Sequence, residues 1–177
     1  MGALKAGVAV VDITPPPGLL LAGFAARTEP ATGVHDPLTV RAVVVGDTAI
    51  VVADVIGMHE AMSARIRERC PLPATNVIVA ATHTHGAPVS MPDRLSAEAD
   101  PAFLQALEDG CVAALTAAVA NAVPAELSAG LGADPDVARN RRHADRPLDR
   151  AVPVLRLRDT TGRLLAVIVS YACHPTV

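Results

Sequence analysis

The sequence predicts an α/β fold: a layered, mixed β-sheet with hairpins and flanking helices. Three observations lead there. Runs of β-branched residues outnumber helical stretches, pairs of those runs meet at short Gly-containing turns, and two helical stretches act as crossovers between runs. At 177 residues the chain is long enough for one ordinary domain with a sizeable core.

The first run, LKAGVAVVDITP (4–15), reads as a strand stopped by Pro15-Pro16-Pro17. An irregular Gly- and Pro-rich loop follows over 16–38 and ends at GVHDPL. TVRAVVVG (39–46) and TAIVVADVIGM (48–58) meet at Gly46-Asp47, where a tight turn makes a hairpin. HEAMSARIRERC (59–70) is a short helix with Met62, Ile66 and Arg69 on one side, closed by Pro71 and Pro73. The apolar run before His83 gives a strand over 76–83. Asp100-Pro101 supplies an N-cap and a proline at the first helical position. That helix runs to about Ala122, with Phe103, Leu107, Val112, Leu115 and Val119 at helical spacing. AELSAGLGAD (125–134) is a strand, and an arginine-rich loop occupies 136–150. The last hairpin pairs VPVLRLRD (152–159) with LLAVIVSYACH (164–174) through Thr161-Gly162. Its outer strand, 164–177, is an open apolar edge that invites association with another chain or copy.

Composition excludes several classes. A hydrophobic fraction of 51% with 19% charged residues describes a folded globule. A net charge of −3 argues against a nucleic-acid surface, and 2% aromatics argue against stacking platforms. No segment is expected to approach the ~18–20 apolar residues that a membrane span needs. The N-terminus lacks a small-residue cleavage site, and three widely spaced cysteines suit reduced thiols. A cytoplasmic protein is expected.

The histidines carry the chemistry. In VIVAATHTHGAPVS (77–90), strand alternation would aim His83 and His85 to one side and Thr84 to the other. His174 repeats the pattern at the end of the last strand, and strand ends in a layered fold converge on one rim. Three imidazoles there suit zinc, whose catalytic sites use His and carboxylate ligands and leave one position open. H-x-H is a less specific pattern than H-E-x-x-H. Asp36, before Pro37, is expected to fix a turn beside His35. Asp54 closes a strand and needs a partner, as an acid behind the metal ligands or as an N-cap; the structural role is favoured. His59 and His143 read as surface residues. Arg139, Arg141 and Arg142 flank Asn140 in a solvated loop, from which one arginine could clamp a carboxylate or carbonyl oxygen.

Taken in order, VAVVDITPP, GVHDPLTVRAVVV, ATHTHGAP, NRR and YACHPT resemble the N-terminal part of the neutral/alkaline non-lysosomal ceramidase family, from Gly7 to Thr176. The H-P-T ending and HTHGAPVS, where ceramidases tend to have H-T-H-S-G-P-G-G, look closer to the family's bacterial relatives. The resemblance implies a zinc-dependent hydrolase of amide bonds with a small-molecule or lipid amide substrate, N-acylsphingosine in true ceramidases. It implies zinc ligands at His83 and His174, with His85 and Arg141 binding substrate or the developing oxyanion. Family catalytic domains are more than twice as long and complete the site with a downstream glutamate and tyrosine. The chain is therefore expected to be the N-terminal portion of a larger catalytic domain, holding part of the site and binding zinc weakly alone. Two other readings are a truncated binding or scaffold domain and an amidohydrolase. The latter places its H-x-H on the first strand of a (β/α)₈ barrel, whereas here several strands come first.

Overall fold

In a computed structural model that describes residues 4–94, 98–143 and 145–174, alternating apolar residues build the frame. The elements are β1 (Lys5–Asp12), β2 (Thr39–Val45), β3 (Thr48–Ala53), α1 (Glu60–Arg69), β4 (Val77–Ala81), α2 (Pro101–Ala120), β5 (Val123–Ala133), β6 (Ala151–Asp159) and β7 (Leu164–Val169). They form a seven-stranded sheet in the order β4-β3-β2-β1-β5-β6-β7. The mixed α/β architecture is the expected one. β3 and β4 pair in parallel, and the other neighbours are antiparallel. Parallel pairing needs a crossover, and α1 supplies it.

Both hairpins turn where expected, Gly46 and Gly162 taking the left-handed φ values of 63° and 88° that the turns require. α2 starts at its expected cap, with the Asp100 carboxylate accepting from Phe103 N at 2.7 Å. The cap of α1 is His59, whose Nδ1 accepts from Ala61 N at 3.2 Å. Asp54 is therefore not an N-cap. It accepts from Thr39 N and Oγ1 at 2.9 and 2.8 Å and pairs with Arg41 at 3.0 Å, pinning the end of β3 to β2.

One sheet face is covered by the helices. Val40, Ala42 and Val44 of β2 and Val51 of β3 pack with Phe103, Leu107, Cys111 and Leu115 of α2 and with Met62 and Ile66 of α1. α2 lies so close to β1 that a Cβ on Gly7 would overlap the Ala118 carbonyl. At 20 residues α2 is long and apolar enough to cross a membrane, contrary to the sequence expectation. Its buried face against the sheet explains that composition. Burial also pushes the Cys111 thiol up to about 12, so this cysteine is inert. Glu108 of α2 is buried and gripped by Arg65 of α1 at 2.7 Å and Arg69 at 2.8 Å. Arg69 is thus a cross-helix clamp rather than part of the apolar face.

The opposite face receives the last three strands. Among the described residues β5 pairs with β1 through Lys5–Pro124 and Ala6–Val123, and Ala125 N donates to Leu4 O at 2.9 Å. The ribbon can then curl, and Leu157 of β6 with Leu165 and Ala166 of β7 packs onto Ala6, Val43 and Val45. This fold-over carries the chain end beyond β7 towards the strand ends of β3 and β4. β7 is the outermost strand of the ribbon, and its Leu164, Val167 and Val169 are exposed.

Two outcomes test this packing. Leu107→Ala removes a fully buried side chain and should cost about 2–5 kcal/mol in denaturant unfolding. Desolvation alone would raise the Glu108 carboxyl, but hydrogen bonds from Arg65 and Arg69 outweigh it and hold it below its ordinary 4.5. A lowered native pKa contributes stability above the unfolded value and loses it as pH falls. Glu108→Gln should therefore be destabilised near neutrality, with the deficit fading as pH drops below 4.5.

Candidate metal centre

The site forms where the parallel pair ends. Thr82 N makes the last ladder-like bond, to Ala53 O at 3.0 Å, and β4 itself stops at Ala81. His83 then turns out of the strand with φ 63°, an uncommon backbone for a residue with a side chain. The turn brings His83 Nδ1 to 2.6 Å from Ile56 O, on the segment leaving β3. A carbonyl only accepts, so Nδ1 carries the proton and Nε2 presents its lone pair. Strand alternation is thus not what sets the two histidines together, because neither lies in the strand. A left-handed turn does it.

The three expected imidazoles nevertheless meet. Ring centroids are 5.2 Å apart for His83–His85 and 5.0 Å for both His83–His174 and His85–His174. One nitrogen from each lies within 4.8 Å of the other two, and no Asp, Glu or Cys joins the group among the described residues. His85 Nε2 and His174 Nε2 face each other at 3.2 Å. His85 is buried, and its Nδ1 has no hydrogen-bond partner. His174 does not sit at a strand end: it lies in an irregular segment five residues beyond Val169. Desolvation, then Arg141, then the other two imidazoles hold the His174 pKa below its ordinary 6.5. Arg141 itself is exposed.

The irregular loop between β1 and β2 completes the wall. Leu21 bridges to Pro88, and Ala22 N donates to Ala87 O at 3.0 Å. Arg27 donates from Nη1 to His85 O at 2.9 Å and to Ala22 O at 3.3 Å, with its guanidinium 4.8 Å from the Phe24 ring centre. Phe24 meets His85 edge-on at 5.0 Å. Gly23 has φ 104°, and a Cβ there would overlap the His85 ring. In a chain with two phenylalanines, Gly-Phe followed by Arg27 was the available signal. Leu20, Leu21, Ala22, Phe24 and Ile56 wall a cavity of ≈ 510 Å³ that ends on the three histidines.

Thr84 faces away, as expected, into a second cavity of ≈ 620 Å³ beside Arg41 and Asp54. His35 and Asp36 line that cavity as solvent-exposed side chains 3.8 Å apart. Asp36 makes no turn-fixing hydrogen bond among the described residues. Arg139 pairs with Asp136 at 3.3 Å, and His143 is exposed. The Pro175-Thr176 end of the last motif lies outside the described residues.

The family model for the N-terminal part of neutral/alkaline non-lysosomal ceramidases matches residues 4–177. The chain belongs to that family. Two solved structures are similar, each with a TM-score of 0.81 and 24% identity over 94% of this chain: a ceramidase complexed with C2, and neutral ceramidase from Pseudomonas aeruginosa. At that identity the likeness establishes the fold, and the chain spans 30% and 31% of those ceramidases. A comparison with curated proteins finds no match.

In the metal-free protein, Arg141→Ala should move the His174 titration upward, towards 6.5, as followed by ring resonances in NMR. An unchanged titration would contradict the electrostatic effect of Arg141 on His174.

Proposed function

We propose that the chain supplies part of the site of a zinc-dependent, ceramidase-like amide hydrolase, with His83 and His174 holding the metal. The observation that carries this reading is the convergence of three imidazoles without a neutralising carboxylate among the described residues. All-nitrogen donors suit zinc. The 3.2 Å between His85 Nε2 and His174 Nε2 sets His85 beside the position where His83 and His174 would hold the ion. His83 is oriented by its bond to Ile56 O, the usual second contact of a metal-ligating histidine. The unpartnered His85 Nδ1 marks a buried ring held for something other than internal hydrogen bonding.

Bound zinc would supply Lewis acidity towards a carbonyl and lower the pKa of an attacking water. The chain's own residues do the rest. The apolar wall takes the acyl part of an N-acyl amine and excludes water from it. His85 and Arg141 hold the negative charge that develops on the amide oxygen. N-acylsphingosine is the substrate that family membership favours, and the remaining ligands come from outside this segment.

Zinc analysis by mass spectrometry, after chelator washing and reconstitution, tests the reading. The parent chain should take up zinc, and His83→Ala or His174→Ala should weaken uptake at least ten-fold. Arg141→Ala should retain the metal. With the segment joined to the rest of a ceramidase domain, Arg141→Ala should lose about 10²–10³-fold in amide turnover. A parent that takes up no zinc would sink the metal assignment.

A further inference from the structure

We infer that Asp134 and Tyr171 form a latch that positions His174 in the imidazole cluster and folds the start of the loop that carries Arg141. The inference rests on the metal-site reading above and adds two residues to it.

Neither partner of the cluster's far side is held by a strand. His174 ends a segment whose backbone is tied to the sheet by Ser170 N donating to Pro153 O at 3.0 Å. Arg141 rides on the loop between β5 and β6, whose side chains are mostly exposed. Both segments meet at one carboxylate. Asp134 Oδ1 accepts from Val137 N at 3.1 Å and Ala138 N at 3.3 Å, which folds the start of the arginine loop. The same oxygen accepts from the Tyr171 hydroxyl at 2.5 Å, which ties in the segment leading to His174. Tyr171 is the chain's one tyrosine and stands three residues before that histidine.

The Asp134 side chain has no exposed surface. A carboxylate is costly to bury unless donors surround it, so the three bonds on Oδ1 are required rather than incidental. Arg150 Nη1 stands 3.9 Å from Oδ2, which has no hydrogen-bond partner, and Arg150 O accepts from Asp134 N at 2.8 Å. The far end of the loop is thereby closed onto the same residue. The hydroxyl bond holds the Asp134 carboxyl below the ordinary range and the Tyr171 phenol above it, so the proton stays on the phenol. The contact is thus a charge-assisted hydrogen bond, of the shorter and stronger kind.

Tyr171→Phe removes one oxygen and keeps the ring, which makes it the decisive variant. Its test is a cobalt titration followed by visible absorption, together with amide hydrogen exchange at residues 138–143 and 171–174. The latch predicts about a ten-fold loss of cobalt affinity, the size seen when a group behind a metal ligand is lost. It also predicts faster exchange in both segments together, while Asp134→Asn gives the same pair of effects. Faster exchange with unchanged cobalt affinity would overturn the positioning role. Unchanged exchange in either segment would overturn the latch itself. If the parent binds no cobalt, the metal reading falls, and the paired exchange result alone decides whether the latch exists.

Discussion

The hydrogen bond from His83 Nδ1 to the Ile56 carbonyl is the contact on which the rest of the site depends. It needs β3 and β4 side by side and parallel, so that both chains leave the sheet at the same edge. In open α/β sheets such carboxyl ends are where ligands bind, because adjacent strands deliver backbone and side chains there without having to continue the ladder. It also needs His83 in the left-handed region, a conformation maintained only where surroundings over-determine it. Here the surroundings are the Ile56 carbonyl on one side and the Ala22–Ala87 and Arg27–His85 bonds on the other. Once His83 and His85 are fixed, the curled ribbon brings the third imidazole of the cluster, His174.

That division of labour explains why the sheet is asymmetric. The β1–β4 half is clamped by α2 and by the Glu108 ion pairs, and it is the rigid platform. The β5–β7 half is joined to β1, among the described residues, by two residue pairs and packs through a small cluster. A weak seam lets the ribbon fold across the sheet, and the chain after β7 can then reach strand ends that lie at the opposite edge of the sheet order. The ceramidases of the same fold are about three times as long, and the exposed Leu127, Leu131 and Leu155, which the register puts on one face, lie on this ribbon.

Much of the framework was legible in the sequence because it is written in local chemistry. Gly46 and Gly162 mark hairpin turns, Asp100-Pro101 opens α2, and β-branched runs mark the strands. The identity of the three histidines was legible too, through the ordered motifs. Their geometry was not. Alternation assumes that β4 runs through His85, but it ends at Ala81, and nothing local announces a left-handed histidine. Asp54 looked like a cap for α1, yet the six residues before Glu60 leave room for His59 to do that work. The partners of Gly23, Phe24, Arg27, Asp134 and Tyr171 were not legible because each acts on a residue tens of positions away. Arg27 and His85 are 58 residues apart, and Tyr171 and Asp134 are 37 apart. Single-sequence periodicity carries no record of such pairs.

The central claim is that the His83, His85 and His174 rings enclose one metal position. Diffraction from zinc-soaked crystals, collected on both sides of the zinc absorption edge, tests it most directly. The account predicts one anomalous peak at the cluster, about 2.0–2.1 Å from Nε2 of His83 and from a ring nitrogen of His174. His83 Nδ1 should still be bonded to the Ile56 carbonyl. An empty cluster, or zinc bound through a His83 ring that has left that carbonyl, would contradict it.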